Sequence, residues 1–214
     1  MIAGVRKSGI ESQSCFLHSL QLSINESIFS QEDVKNIIST SRDIVSHFNH
    51  SALAISKLTN LQTQLNLPVH KLKQDINIRW NSTYYMLSRV IEQRKAPVTY
   101  AIDNNLSILS DIQWITAEKI VKILKPFEEI TIEASKRSAT ASMIIPSIKT
   151  ILLFLEKAKE SCEFYEIKET IEKLMSSIDK RFTFYFENES LCITTTLDPR
   201  FKTRFHKTCM IERI

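Results

Sequence analysis

Glycine is almost missing from this 214-residue sequence, which contains only Gly4 and Gly9. Tight hairpins usually need glycine where a turn requires a positive φ angle, whereas helices joined by polar loops do not. A glycine-rich phosphate-binding loop needs glycine as well. Proline is also sparse, with five positions that mostly separate segments. These scarcities exclude a glycine-rich nucleotide loop and predict an all-α fold.

Long hydrophobic runs are missing too, and cysteine is thinly spread. No stretch reaches the roughly 18 apolar residues of a membrane helix, and the N-terminal residues lack the apolar core of a signal peptide. The scattered cysteines favour free thiols in a reducing compartment over a disulfide framework. They are Cys15, Cys162, Cys192 and Cys209. The sequence therefore predicts a globular protein with no membrane partner.

The charge balance is only weakly basic. A net charge of +4 is compatible with a nucleic-acid partner, but it is far below the bias of a strongly electrostatic DNA binder. Hydrophobic residues make up 43% of the chain and charged residues 24%, as in ordinary globular proteins. Composition alone therefore neither requires DNA binding nor indicates disorder.

Apolar side chains recur at intervals of three and four over residues 31–66, which predicts one long amphipathic helix. Ser30 with Asp33 resembles a capping signal at its start, and Pro68 is expected to stop it. Packing inside a core is the favoured interpretation, and a dimeric coiled coil is the alternative because the apolar seam is sustained. The seam comprises Val34, Ile38, Ser41, Val45, Phe48, Ala52 and Ile55, and Leu58, Leu61 and Leu65 continue it on nearly the same face.

Four further helices are predicted from periodicity and capping signals. Pro97 is expected to bend or split the first of them, and Pro126 to kink the second. The seven residues Leu191–Leu197 look like a strand, although helix and strand cannot be distinguished at this length. The predicted helices cover about 82–102, a stretch capped by Ser110 with Gln113 that extends past Phe127, 141–162 and 164–186.

Three short motifs occur in a fixed order. The first is Cys15-x-x-His18, which leads into a pair of leucines. The second is the segment Asp75–Leu87, with the sequence DINIRWNSTYYML. The third is Leu197–Lys202, with the sequence LDPRFK. Within these motifs the residues that carry the pattern are Cys15, His18, Asp75, Arg79, Trp80, Asn81, Ser82, Asp198, Pro199 and Arg200.

In this order and spacing the motifs resemble those of hAT-superfamily DNA transposases and their domesticated zinc-finger BED-domain relatives. The resemblance covers nearly the whole chain. It implies a helical domain inserted into an RNase H-like core, with residues 1–30 as a remnant helix of that core and 31–214 as the insertion domain. It also implies a nuclear, DNA-binding or transcription-related protein. Dimerisation belongs to a further segment in that family.

The same resemblance predicts that this chain is not an enzyme. The family's first two catalytic aspartates would precede Cys15, and its third acid would follow the last residue here. Cutting DNA with two metal ions needs carboxylates clustered so that the ions lie about 3.5–4 Å apart. Aspartate and glutamate are instead expected on solvated helix faces. No cofactor and no catalytic residue is predicted.

Trp80 and Arg79 are the strongest candidates for a DNA contact. In the family this tryptophan is thought to stack on a flipped base while the neighbouring arginine contacts the backbone. An aromatic platform of this kind favours distorted or single-stranded DNA, and binding is expected to be weak. Arg89 and Arg94 are expected to add positive charge. The alternative for Trp80 is a core anchor at a helix start, with Asn81 or Ser82 as the N-cap.

Two ligand-type pairs raise the question of zinc. Cys15-x-x-His18 and His206-x-x-Cys209 have suitable residue types but lie almost the whole chain apart. A buried Cys15 and a hydrogen-bonded His18 are the favoured interpretation, so no metal is predicted. Asp198-Pro199-Arg200 is expected to form a turn that Arg200 ties to a helix end. A protein-interaction or homo-oligomerising module, and a truncated gene product, remain alternatives to a DNA-binding domain.

Overall fold

The computed structural model describes residues 14–202 and residue 204, and this part of the chain contains helices and no strands. The predicted all-α class is therefore confirmed. The helices are α1 Phe16–Ile24, a π-helix Asn25–Phe29, α2 Glu32–Asn49, α3 Ala52–Gln64, α4 Trp80–Glu92, α5 Lys95–Asp103, α6 Asp111–Ala134, a 3₁₀-helix Ala141–Met143, α7 Ile144–Glu160, a 3₁₀-helix Cys162–Ile167, α8 Lys168–Phe182, a 3₁₀-helix Thr183–Phe186 and α9 Glu189–Leu197.

Helix α6 lies at the centre of the bundle and packs against α1, α2, α4 and α7. Its start was predicted correctly. Ser110 accepts a hydrogen bond from the Gln113 backbone, and the Gln113 side chain bonds back to Ser110, which completes a capping box. The helix continues through Pro126 to Ala134. Trp114, 1% exposed, is part of the core as its register predicts.

The predicted single helix over 31–66 is wrong, because the chain breaks between α2 and α3. Ser51 is extended, with φ −132° and ψ 114°, and its side chain accepts from the Ala54 backbone as the N-cap of α3. In α3 the seam position Ile55 is exposed and its neighbour Ala54 is buried instead, while Leu58 is buried as the predicted seam requires. A serine that is compatible with a helix interior acts here as a cap.

Both ends of the predicted long helix also differ. Gln31 is the N-cap of α2 and makes no side-chain capping bond, while the Ser30 hydroxyl donates to the Glu26 carbonyl at 2.5 Å. Helix α3 stops at Gln64, where Asn66 adopts a left-handed φ of 53°. Asparagine tolerates this conformation better than most residues. The end therefore precedes Pro68.

The other predicted segments are helical with shifted limits. The segment containing Pro97 is split after Glu92, and Pro97 lies in the first turn of α5, where its missing N–H is tolerated. Leu191–Leu197 is helical, and Asn188 caps α9 by accepting from the Leu191 backbone. Helix α1 shares the core with α8 through Phe16 and Phe182, whose ring centroids lie 5.8 Å apart. The division into 1–30 and 31–214 stays a prediction.

Among the described residues, no helix is both long enough and apolar enough to cross a membrane.

Candidate nucleic-acid interface

An extended segment, residues 66–79, connects α3 to α4 and contains the first half of the tryptophan motif. Leu72 and Asp75 are buried and hold the segment against the bundle, while Lys71 and Lys73 on either side of Leu72 are exposed. The two buried side chains are three positions apart, and Lys71 before them and Lys73 between them are exposed. The segment therefore presents cations to solvent while its own anchors stay in the core.

Asp75 holds the segment by an ion pair across 33 residues of sequence. The Arg42 guanidinium donates to both carboxylate oxygens, with Nε–Oδ1 at 3.0 Å and Nη2–Oδ2 at 2.7 Å. Thr83 on α4 donates to Oδ2 at 2.9 Å. Burial alone would raise the pKa of Asp75, but the bonds from Arg42 and Thr83 and the Arg42 charge hold it below its usual value. This carboxylate is ionised and structural.

The position of Asp75 corrects one expectation. Aspartate and glutamate were predicted on solvated faces, yet the Asp75 side chain is 1% exposed. Sequence reasoning also missed Arg42, because nothing local links a residue in α2 to a motif beyond the next helix. The only available signal was its place beside the buried seam position Ser41.

Trp80 is the first residue of α4 and is 3% exposed. Its ring centroid lies 6.2 Å from that of Tyr84 at a tilt of 58°. This geometry matches the core-anchor alternative for the residue, and almost no ring surface faces bulk solvent. A role in base stacking stays a prediction.

The expected N-cap at Asn81 or Ser82 is wrong. Arg79 is the N-cap residue of α4 and makes no side-chain capping bond. The Ser82 hydroxyl instead accepts from the Ile76 backbone at 2.8 Å and lies 2.7 Å from the Arg79 carbonyl. Ser82 thereby closes the turn that delivers Trp80 to the core. Asn81 is half-buried beside it.

A cavity of about 280 Å³ adjoins Trp80 between the π-helix, α2 and the extended segment. Its walls combine two aromatic side chains, Phe29 and Trp80, with amide, hydroxyl and cationic groups. This volume lies just under the roughly 300–1,000 Å³ of typical ligand pockets. The lining residues are Asn25, Phe29, Ser30, Lys35, Ile38, Arg42, Asn77, Trp80 and Thr83.

The four predicted DNA-contacting side chains differ in availability. Arg79 is exposed, and among the described residues its guanidinium makes no hydrogen bond or ion pair. Arg89 forms an ion pair with Glu92 at 2.8 Å and donates a hydrogen bond to the Lys71 carbonyl at 3.2 Å. Arg94 pairs with Asp111 at 3.1 Å and lies 5.0 Å from the centroid of the Trp114 ring. Arg79 and Trp80 therefore lie together at the start of α4, whereas the Arg89 and Arg94 side chains are already paired with acidic residues of this chain.

The first and third motifs lie elsewhere. Cys15 precedes α1 and is exposed, so its expected burial is wrong, and His18 is exposed as well. His206 and Cys209 lie outside the described residues. Within residues 14–202, no three histidine, cysteine or acidic side chains come together as a metal site.

The turn at Asp198-Pro199-Arg200 joins the end of α9 to the 3₁₀-helix Ala141–Met143, which leads into α7. Asp198 accepts from Ser142 at 2.6 Å and from the Arg200 guanidinium at 2.7 Å. Hydrogen bonds from Arg200 and Ser142 hold the pKa of Asp198 far below its usual value. Arg200 also reaches Thr140, the N-cap of the 3₁₀-helix, at 3.4 Å. The predicted contact between Arg200 and a helix end is therefore present, and Asp198 bonds to both Arg200 and Ser142.

The all-helical bundle and its tryptophan motif fit the class that the three motifs indicated, the helical domain of domesticated hAT-type transposases. Residues 13–123 match the family described as the ZBED1 RNase-like helical domain, and the chain belongs to that family. The recognition made from the three motifs is therefore confirmed.

Curated relatives carry the same domain in much longer proteins. The chain is 33% identical over 199 residues to human zinc finger BED domain-containing protein 4, covering 89% of this chain and 16% of that protein. It is 28% identical over 212 residues to human zinc finger BED domain-containing protein 6, covering 94% and 21%. A rice relative from Oryza sativa subsp. japonica, zinc finger BED domain-containing protein RICESLEEPER 1, is 27% identical over 199 residues, covering 89% and 26%.

The chain thus spans between about a sixth and a quarter of the length of these relatives. No solved structure matches it.

Proposed function

We propose that this chain is a non-catalytic, DNA-contacting helical domain of a nuclear, transcription-related protein. One observation carries the proposal. Exposed Lys71, Lys73 and Arg79 follow one extended segment that borders the cavity beside Trp80. Cations along a segment that ends at a small aromatic-walled cavity would suit a flexible, single-stranded phosphate backbone with one base turned inward.

The cations would supply most of the affinity, because neutralising phosphates releases condensed counterions. Among the described residues Arg79 has no ion pair to break, and the Lys73 ammonium lies over the Tyr85 ring, 5.5 Å from its centroid. Arg89 and Arg94 would have to leave glutamate or aspartate partners first. The proposal therefore assigns the backbone contact mainly to Lys71, Lys73 and Arg79.

The cavity would supply the preference for distorted DNA. Trp80 is too buried to stack on the outside of a duplex, so a base must leave its own stack to approach it. Unstacking costs a few kcal/mol in intact duplex and less in mismatched or single-stranded DNA. Asn77 and Ser30 line the same cavity and offer hydrogen-bonding groups to a base edge.

The proposal gives this domain no strand-cleaving role. Asp75 is the buried carboxylate among the described residues, and both of its oxygens are taken by Arg42 and Thr83. A metal-binding acid needs those oxygens for the ion.

Replacing Lys71, Lys73 and Arg79 together by alanine should weaken binding to a single-stranded oligonucleotide. Three fewer phosphate contacts would flatten the dependence of log affinity on log salt by about 2, from roughly 0.7 per contact. Fluorescence anisotropy at several salt concentrations measures both effects. The matched control replaces Lys125, Lys157 and Lys168, which are exposed on α6, α7 and α8 and change the net charge equally. Equal losses in the two triple variants would contradict the proposed interface.

A second candidate function is self-association, and a specific apolar group favours it. Leu22, Ile76 and Ile78 are 40%, 54% and 73% exposed. The Gln21 side chain donates to the Ile78 carbonyl at 2.7 Å, which joins α1, the helix of Leu22, to the segment that carries Ile76 and Ile78. Exposed apolar groups of this kind often mark interfaces.

If two copies pair through this group, Ile78→Lys should shift a concentration-dependent dimer toward monomer in sedimentation equilibrium. The control is Ile102→Lys on α5, which changes a side chain that is 78% exposed. A wild-type chain that stays monomeric at all concentrations tested, or a dimer that both substitutions disrupt equally, would rule out this candidate.

A further inference from the structure

A loop of six residues, 135–140, links α6 to the 3₁₀-helix and combines basic and hydroxyl side chains. Its sequence is Ser-Lys-Arg-Ser-Ala-Thr. Lys136, Arg137, Ser138 and Thr140 are all exposed. Lys136 pairs with Glu133, whereas the Arg137 guanidinium has no partner among the described residues. Thr140 thus has an available arginine three positions before it.

The Thr140 hydroxyl already lies in a place suited to a phosphate. Its oxygen is 3.4 Å from Arg200 Nη2 and 2.6 Å from Ser142 Oγ. Both of these groups also bind Asp198, with Arg200 Nη2–Oδ2 at 2.7 Å and Ser142 Oγ–Oδ2 at 2.6 Å. Thr140 and Asp198 therefore contact the same guanidinium and the same serine hydroxyl, which donates to Asp198 and accepts from Thr140.

We propose that Thr140 is a phosphorylation site for a basophilic serine/threonine kinase, and that its phosphate takes Arg200 and Ser142 away from Asp198. Kinases of this class recognise basic side chains before the acceptor through charge complementarity, and Lys136 with Arg137 provides them. Ser138 is the competing acceptor in the loop. Arg200 and Ser142 single out Thr140, since no described contact joins Ser138 to either of them.

ATP is the phosphate donor in this reaction. Thr140 Oγ1 attacks the γ-phosphorus of ATP in the kinase site, a new P–O bond forms, and the bond from that phosphorus to the β–γ bridging oxygen breaks. The hydroxyl proton passes to the catalytic aspartate of the kinase, and ADP leaves. The products are phosphothreonine, ADP and one proton.

The phosphate would change the turn after α9 for an electrostatic reason. It carries a charge of about −1.5 to −2 and three acceptor oxygens, so it is a stronger partner for a guanidinium than one carboxylate. Asp198 would lose its hydrogen bonds while a second anion lies close to it. Residues 197–202, held through Asp198, would then separate from the start of α7.

The test treats the chain with the catalytic subunit of cyclic-AMP-dependent protein kinase and MgATP, and maps the phosphate by mass spectrometry. Incorporation is expected at Thr140, is lost in Thr140→Ala and is kept in Thr140→Ser and Ser138→Ala. Arg137→Ala should slow it roughly tenfold, as expected for a lost charge-assisted contact. Lys125→Ala on α6 should leave the rate unchanged.

Amide hydrogen exchange measures whether residues 197–202 separate from the start of α7 after phosphorylation. Peptides covering residues 191–202 should exchange faster after phosphorylation, and kinase-treated Thr140→Ala should exchange like the untreated parent. Label that appears on Ser138 but not on Thr140 overturns the proposal. So does an absence of label, or labelled Thr140 with unchanged exchange in this turn.

Discussion

Trp80→Ala should lower the free energy of unfolding by about 3–5 kcal/mol, the usual cost of removing a buried aromatic ring. The ring is 3% exposed and lies against Tyr84 at the start of α4, where the Ser82 turn positions it. Its loss leaves a void at the point where the extended segment meets the bundle. Urea unfolding monitored by circular dichroism gives the difference directly.

Two further variants test whether the loss of stability comes from the removal of a buried ring. Tyr165→Ala removes an aromatic side chain that is 76% exposed and should change the free energy of unfolding by no more than about 0.5 kcal/mol. Trp80→Phe keeps an apolar ring in the site and should be far less damaging than alanine. If Trp80→Ala unfolds at the same urea concentration as the parent, the residue is not a core anchor.

The same variants separate stability from DNA contact. If the proposed function holds, folded Trp80→Phe should lose affinity for mismatched DNA more than for plain duplex, because only the former presents an unstacked base. If the variant binds mismatched DNA and plain duplex with the same affinities as the parent, Trp80 does not belong to the contact surface. The core role of Trp80 would remain, since it rests on burial alone.

Periodicity predicted the helices because most of them bury one continuous stripe. Val34, Ile38, Ser41, Val45 and Phe48 are all buried as predicted. The prediction failed where the stripe passed through Ser51. Serine serves equally as an interior residue or as a cap, and the choice depends on the tertiary contacts of α3, which no local pattern contains.

The residues of the candidate site also fall into those that the sequence could identify and those that it could not. Its tryptophan motif is contiguous, so Asp75, Arg79 and Trp80 could be selected from sequence. Arg42 and the cavity wall from the π-helix could not, because they come from elements that only folding brings together. Arg89 and Arg94 were selected for charge, and the acids that neutralise them lie on a neighbouring turn or on α6.

The Arg42–Asp75 pair yields the other large expected effect, and the two partners should differ. Arg42→Ala leaves a carboxylate that is 1% exposed without its cation, and it should cost about 3–5 kcal/mol of unfolding free energy. Asp75→Ala leaves a guanidinium that is 35% exposed and can be hydrated, so it should cost less, about 1–3 kcal/mol. Asp43→Ala, an exposed acid next to Arg42 in sequence, is the control and should be nearly neutral.

The pH dependence of stability tests the same pair independently. The folded-state pKa of Asp75 lies below its unfolded value of about 3.9, so the stabilisation is present above that pH and is lost as pH falls through the folded pKa. The parent should therefore lose stability more steeply than Asp75→Asn below about pH 4, and the two should run parallel near neutrality. Parallel curves throughout the acid range would mean that Asp75 titrates alike in both states. The extended segment would then be held by Leu72 and Trp80 without the ion pair.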